Sequence, residues 1–401
     1  MSKTKSKFTV QCVSCNLVQS QAYSPFCQKC GAMTEAYYDT ARARLRDSDN
    51  PYERYFDLIP VQDRDLLPQD ATFSPLVHAT ELGARLGLEN LYLKNETALP
   101  TGTTKYRMAA VSLPYLYESG VTEFCTSSTG NSSSAYAALI RNIPDLNMRL
   151  FTGDAFRNRV NYEPSKQITH YILHGASFAE AFVVAAEYAK RGGYTSERGF
   201  FNLGRREGLK LSWYEAVEQA GFSFDWYVQA VSSAMGVYGV YKAAQEFVQL
   251  GISSHLPRLL CAQQESCSPL VDAWQDGAET IQPEHIVTEP SGIAMAILRG
   301  DPTRVYPYMR DIVMESGGSF QAAPEQAIRE ARTLVLELEG IDICFSAATA
   351  VAGLIRAVGL GQVASDARVL INLTGSDRVY DSVPQDVIHL SKVAGEWVER
   401  K

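Results

Sequence analysis

The chain of 401 residues is 46% hydrophobic and 20% charged, the balance of a globular protein with a full core, and its length suggests two domains. A formal net charge of -8, with no long basic run, argues against nucleic acid or an anionic membrane as the main partner. No apolar stretch reaches the length of a membrane span, and Met1-Ser2-Lys3-Thr4-Lys5 leads into no signal-peptide core, so a cytoplasmic location is expected.

Four of the eight cysteines form two Cys-x-x-Cys knuckles, Cys12/Cys15 and Cys27/Cys30, with eleven residues between them. Four thiolates match tetrahedral zinc, and a site closed by four cysteines keeps no open position for catalysis. Residues 37–46 read as a mixed-charge helix and 47–51 as a polar linker. Ser74-Pro75-Leu76 opens a helix over 79–86, stopped by Gly87. Residues 90–93 make a short apolar strand, followed by Lys94-Asn95-Glu96 and then Pro100-Thr101-Gly102-Thr103-Thr104-Lys105. A helix starts near Lys105, with Thr103 or Thr104 as its cap. An amine on a first helical turn feels the positive end of the macrodipole, which favours its free, nucleophilic form. That suits a lysine that forms a Schiff base.

From residue 123 the pattern is strand, loop, helix. Residues 123–127 are the strand, Ser128-Thr129-Gly130-Asn131-Ser132-Ser133-Ser134 the loop, and a helix opens over 135–141. Small hydroxyl residues and a glycine before a helix offer free N–H groups to an anion, for which a substrate carboxylate is the natural guest. Residues 148–151 form another strand, and helices cover 165–174 and 178–190. His170 and His174 then share helical i, i+4 spacing, but with no third ligand they read as a surface or packing pair rather than a metal site. Arg205-Arg206-Glu207-Gly208 is either a binding site for phosphate or sulfonate, or a solvated charged turn.

Residues 225–231 are a β-rich strand. Ser232-Ser233-Ala234-Met235-Gly236 follows, with a helix running to about residue 250. A unit of this kind can cradle a phosphate through backbone N–H groups, but it fits no standard nucleotide motif, so by itself the signal is weak. A strand over 258–262, an amphipathic helix over 323–339, a small-residue helix over 346–357 and a buried strand over 368–373 complete the scaffold. The last strand ends in Thr374-Gly375-Ser376-Asp377-Arg378.

The order of Leu91–Glu96, Pro100–Lys105 and Ser128–Asn131 resembles fold-type II pyridoxal-phosphate enzymes of the tryptophan synthase beta-like superfamily, in the threonine synthase branch. The knuckles, Arg206-Glu207-Gly208, Gln229-Ala230-Val231 and residues 338–343 are similar to cysteate synthase. The resemblance covers residues 12 to 378. It implies two three-layer α/β domains with parallel-rich sheets plus a small N-terminal zinc ribbon. The expected division is a ribbon over 8–38, a large cofactor domain over 39–107 and 194–401, and a small domain over 108–193.

It further implies that Lys105 carries pyridoxal 5'-phosphate and acts as the catalytic base. Ser232, Ser233, Ala234, Met235 and Gly236 would hold the cofactor phosphate, Asn131 the ring oxygen and Thr374 the ring nitrogen. Asp377, three residues on, is an alternative partner for that nitrogen. Ser128, Thr129, Gly130 and Asn131 would grip the substrate carboxylate, with Arg205 and Glu207 as polar walls. Here Ser, Ala and Met replace several glycines of the family's phosphate loop, and Tyr106 stands where both synthases usually have another residue. The implied reaction is elimination and replacement on an activated, phosphorylated hydroxy-amino acid through an aminoacrylate. The alternatives are a serine/threonine dehydratase-type lyase and an inactive binding protein on the same fold. A small-molecule amino-acid substrate, structural zinc and a homodimer complete the expectations.

Overall fold

The computed structural model describes residues 6–20 and 22–400. Fourteen strands occur among them. The first seven are β1 (Phe8–Cys12), β2 (Thr34–Tyr38), β3 (Leu76–His78), β4 (Asn90–Asn95), β5 (Glu123–Ser127), β6 (Asn147–Gly153) and β7 (Ile168–Leu173). They are followed by β8 (Thr195–Ser196), β9 (Trp226–Ala230), β10 (Arg258–Gln264), β11 (Ser319–Ala323), β12 (Arg368–Leu373), β13 (Ile388–Val393) and β14 (Glu396–Glu399). The chain divides into two compact units. One comprises Met1–Thr72, Lys105–Gly208 and Arg378–Lys401; the other comprises Phe73–Thr104 and Leu209–Asp377.

The second unit is built on a six-stranded sheet in the order β11-β10-β9-β12-β4-β3, parallel except for β3. Every residue of β9 is buried, as are Val369 to Leu373 of β12. Strands covered on both faces read as continuous apolar runs, which is why both stood out in the sequence. One face packs against helix Glu325–Glu339, through Ile328, Ala331 and Val335, and against the small-residue helix Phe345–Gly359. The other face carries polar groups. Lys94 and Glu215 form a fully buried ion pair at 2.8 Å. The Lys94 amine also donates to Ser74 O and Gln219 Oε1, each at 2.7 Å, so the charge is hydrogen-bonded as burial demands.

The first unit holds a sheet in the order β14-β13-β7-β6-β5-β8, parallel except for β14, and a separate antiparallel pair, β1-β2. Helix Phe178–Gly192 packs on it through Ala181, Val184, Ala185 and Ala189. These units follow other boundaries than the domains expected from the sequence. Residues 39–72, 194–208 and 378–401, expected in the large domain, cluster with 105–193. The 388–393 segment belongs there because β13 pairs with β7.

Three local expectations are corrected. Residues 34–38 are a strand, and 39–46 run as turns and irregular chain rather than a helix, because Tyr37 and Tyr38 pair with Thr9 and Phe8. Residues 168–173 are β7, hydrogen-bonded to β6 and β13, not part of a helix. Residues 76–78 pair with β4 as a strand, and the helix is Thr80–Leu86. No helix among the described residues is long and apolar enough to cross a membrane.

Candidate active site

In the second unit, three pieces meet at the carboxyl edge of the parallel sheet. β9 and β12 are adjacent and parallel, with Ile371 opposite Val228. The Ser232–Gly236 turn leaves the end of β9, and Thr374 leaves the end of β12. The third piece is the Gly102–Thr104 turn. Thr104 N donates to Thr374 O at 2.9 Å, Ser376 N donates to Gly102 O at 3.0 Å, and Thr103 bridges Gly375. The residue covalently next to Thr104 is Lys105, so this clamp fixes where the lysine leaves the sheet edge. Thr104 Oγ1 is buried without a hydrogen-bond partner, so it is not the cap of the helix that follows.

Helix Met235–Gln249 begins with no side-chain cap, which leaves its first N–H groups available to an anion. Its preceding residue, Ala234, is buried and left-handed at φ +56° and ψ +20°. A non-glycine there costs on the order of 1–2 kcal/mol, strain of the kind held at binding turns. A Cβ on Gly236 would lie 2.8 Å from the Gln229 amide, so a larger residue there would displace that side chain. Gln229 Oε1 accepts from Tyr227 at 2.6 Å and from Asn372 Nδ2 at 3.2 Å. Sequence reading missed this buried group. Its signal was polar residues at alternate positions of two otherwise apolar strands. Asp377 is held by Arg332 at 2.8 Å, and Arg332 also holds Asp342 at 3.0 Å. Its charge is therefore already paired.

In the first unit, Lys105 is the first residue of helix Lys105–Glu118. Burial, and after it the Arg205 guanidinium, push its amine down to about 8. From an ordinary 10.5 that raises the free-amine fraction at neutral pH by roughly 300-fold. Arg205, Arg206 and Glu207 lie in a buried helix, Leu203–Leu209, not a solvated turn. Gly208 allows that helix to approach, since a Cβ there would lie 2.2 Å from Arg107 O. Arg205 Nη2 donates to Glu197 Oε2 at 2.5 Å, its Nε also donates to Glu197, and Tyr136 joins at 3.0 Å. Tyr136 Oη in turn meets Ser112, on the Lys105 helix, at 2.8 Å. Arg206 donates to Thr34 O at 2.6 Å, and Glu207 accepts from Tyr38 at 2.8 Å, so both tie this helix to β2. Glu197 is a hub that sequence reading did not find.

The Ser128–Asn131 loop leaves β5. Ser128 Oγ accepts from Gly130 N at 3.0 Å and Ser133 N at 3.2 Å, so this hydroxyl shapes the loop from within. Gly130 sits at φ +124°, and a Cβ there would lie 2.5 Å from Arg159 O. The helix expected from 135 begins at Asn131, whose Oδ1 accepts from Arg378 at 2.7 Å. Thr129 precedes Gly130, half-buried.

Near the N-terminus, the Sγ atoms of Cys12, Cys15, Cys27 and Cys30 all lie within 4.8 Å of one another, with Cys12–Cys30 at 3.4 Å and Cys15–Cys27 at 3.6 Å. Four thiolates around zinc at about 2.3 Å stand about 3.8 Å apart, so the donor set fits that ion.

The second unit thus offers an uncapped helix after a strained turn beside a hydroxyl at the neighbouring strand end, and the first unit offers a lysine with a depressed pKa, each a group of the kind that pyridoxal-phosphate sites use. The chain belongs to the pyridoxal-phosphate dependent enzyme family, whose model matches residues 68–375. It is 29% identical over 386 residues to a cysteate synthase of Methanosarcina barkeri, covering 92% of this chain and 91% of that protein. It is 27% identical over 388 residues to a threonine synthase of Methanosarcina acetivorans, with the same coverage. Among solved structures, maize serine racemase matches with a TM-score of 0.61 at 18% identity, over 76% of this chain and 89% of that one. A threonine deaminase from Solanum lycopersicum matches with a TM-score of 0.61 at 17% identity, over 84% and 92%. The fold is fold-type II.

Glu197→Gln should cost roughly 3–5 kcal/mol of stability, because it leaves the buried Arg205 without its counter-charge. Denaturant unfolding checks this. A loss under about 1 kcal/mol would show that Arg205 is compensated elsewhere.

Proposed function

We propose that this enzyme catalyses elimination and replacement on a phosphorylated hydroxy-amino acid. Two lines support the reading: the cysteate and threonine synthases among its relatives, and the depressed pKa of Lys105 at a helix start tied to the strand carrying Thr374. Bound pyridoxal phosphate supplies an electron sink for charge developing at the substrate Cα. Lys105 holds that cofactor and, once displaced by substrate, takes the Cα proton. The N–H groups at the start of helix Asn131–Ile140 bind the substrate carboxylate, with Asn131 toward the cofactor ring. Ser232, Ser233, Ala234, Met235 and Gly236 hold the cofactor phosphate through backbone N–H groups. The Thr374 hydroxyl partners the ring nitrogen without protonating it, which disfavours transamination.

Incubation with phosphoserine and phosphohomoserine should release inorganic phosphate from one of them and yield a replacement product by mass spectrometry. Thr374→Asp should slow replacement by roughly 10- to 100-fold, about 1–3 kcal/mol of barrier. Phosphate release from neither substrate would sink the reading. One observation favours a second reading: Glu197 already meets the charge of Arg205, so that side chain offers no spare cation to a substrate phosphate. A dehydratase-type lyase would instead form 2-oxo acids when serine or threonine is supplied as substrate.

We further propose that the four cysteines hold one structural zinc. Metal analysis should find one zinc per chain. Cys12→Ser should lose it and lower Tm while the cofactor absorbance persists. Zinc retained in full by that variant would contradict the ligand set.

A further inference from the structure

The short helix Asp154–Arg159 after β6 and the chain over 380–385 before β13 enclose a solvent-open cleft of about 360 Å³ in the first unit. Its lining includes Asp154, Arg157, Asn158, Tyr380, Asp381 and Gln385. That volume falls within the range of small-molecule sites, about 300–1,000 Å³. Tyr380 N donates to Asn158 O at 2.8 Å and fastens one wall to the other.

The charges in this cleft are unequally used. Asp154 Oδ1 accepts from Gly175 N at 3.1 Å, and its Oδ2 stands 3.3 Å from His174 Nδ1. His174 Nε2 in turn lies 2.8 Å from His389 Nδ1, so Asp154 is committed to its own wall. Neither Arg157 nor Asp381 makes an ion pair among the described residues, and Arg157 Nε is buried with no acceptor. A guanidinium partly removed from water without an acceptor is unfavourable, and a carboxylate ligand supplies one through a charge-assisted bond. An unpaired cation and an unpaired carboxylate in one small cleft match a zwitterion, with its carboxylate on Arg157 and its ammonium on Asp381.

Both walls continue to the Ser128–Asn131 loop. Arg159, two residues beyond Arg157, places its carbonyl where a Cβ on Gly130 would meet it at 2.5 Å. Arg378, two residues before Tyr380, donates to Asn131 Oδ1 at 2.7 Å. We propose that this cleft is a second site, separate from Lys105, for a free α-amino acid, and that its occupancy changes the loop's affinity for substrate. The coupling rests on reading the Ser128–Asn131 loop as the carboxylate grip; the binding does not.

Equilibrium dialysis of the holoenzyme with labelled L-serine, L-threonine and L-aspartate tests the proposal, with cofactor absorbance followed in parallel. For at least one of them, a second molecule per chain should bind without changing the absorbance. Arg157→Ala and Asp381→Asn should each weaken that molecule at least tenfold, with circular dichroism and cofactor absorbance unaltered. Acetate should displace it poorly, and the substrate KM should shift at least twofold with its occupancy. The proposal falls if no second molecule binds, if it survives both substitutions, or if acetate displaces it equally well. An unchanged KM overturns the coupling. An absorbance indifferent to every amino acid counts against the Lys105 reading, not against the cleft.

Discussion

The proposed chemistry of this chain rests on a short clamp between two turns. Thr104 N bonds Thr374 O, Ser376 N bonds Gly102 O, and Thr103 bridges Gly375. The bonds cost little to make where the backbone groups would otherwise be buried unpaired. Their consequence is positional. The end of β12 and Thr104, the residue preceding Lys105, are therefore fastened to each other by backbone bonds. The β9–β12 pairing brings the Ser232–Gly236 turn to the same edge of the sheet.

A second constraint is charge. The chain buries several lysine, arginine and glutamate side chains, and the pairs below match most of the charges they bring. Lys94 has Glu215, Arg205 has Glu197, and Glu246 takes Lys210 at 2.9 Å and Lys242 at 2.5 Å. Such pairs add little net stability over apolar residues, but removing one member leaves the other stranded. They also separate the lysines by role. Lys94 and Lys242 are committed to carboxylates, whereas burial and a neighbouring guanidinium leave Lys105 easy to deprotonate.

The candidate motifs were legible because most of them open a helix after a strand or a turn, where residue type follows from the local backbone. Lys105, Asn131 and Met235 each begin a helix. The elements misread from sequence share a different cause. β7 is buried through His170, Tyr171, Ile172 and Leu173, so it shows no alternation and cannot be told from a buried helix by period. The i, i+4 spacing of His170, in β7, and His174, just beyond it, is coincidental; His174 meets His389 from β13. Tyr37 belongs to a strand because its partner, Thr9, lies far back in the chain. Arg205, Arg206 and Glu207 read equally as a solvated turn because their partners, Glu197, Thr34 and Tyr38, carry no local pattern.

The central claim is that Lys105, next to this clamp, is an amine with a depressed pKa that takes up the cofactor. The rate at which apoenzyme captures pyridoxal phosphate, followed by absorbance across pH, tests it most directly, with borohydride reduction and peptide mapping to locate the label. Capture should rise about tenfold per pH unit, level off near the depressed value of about 8, and place the label on Lys105. A rise that continues toward the ordinary lysine value of 10.5, or a label on Lys94 or Lys242, would contradict the account.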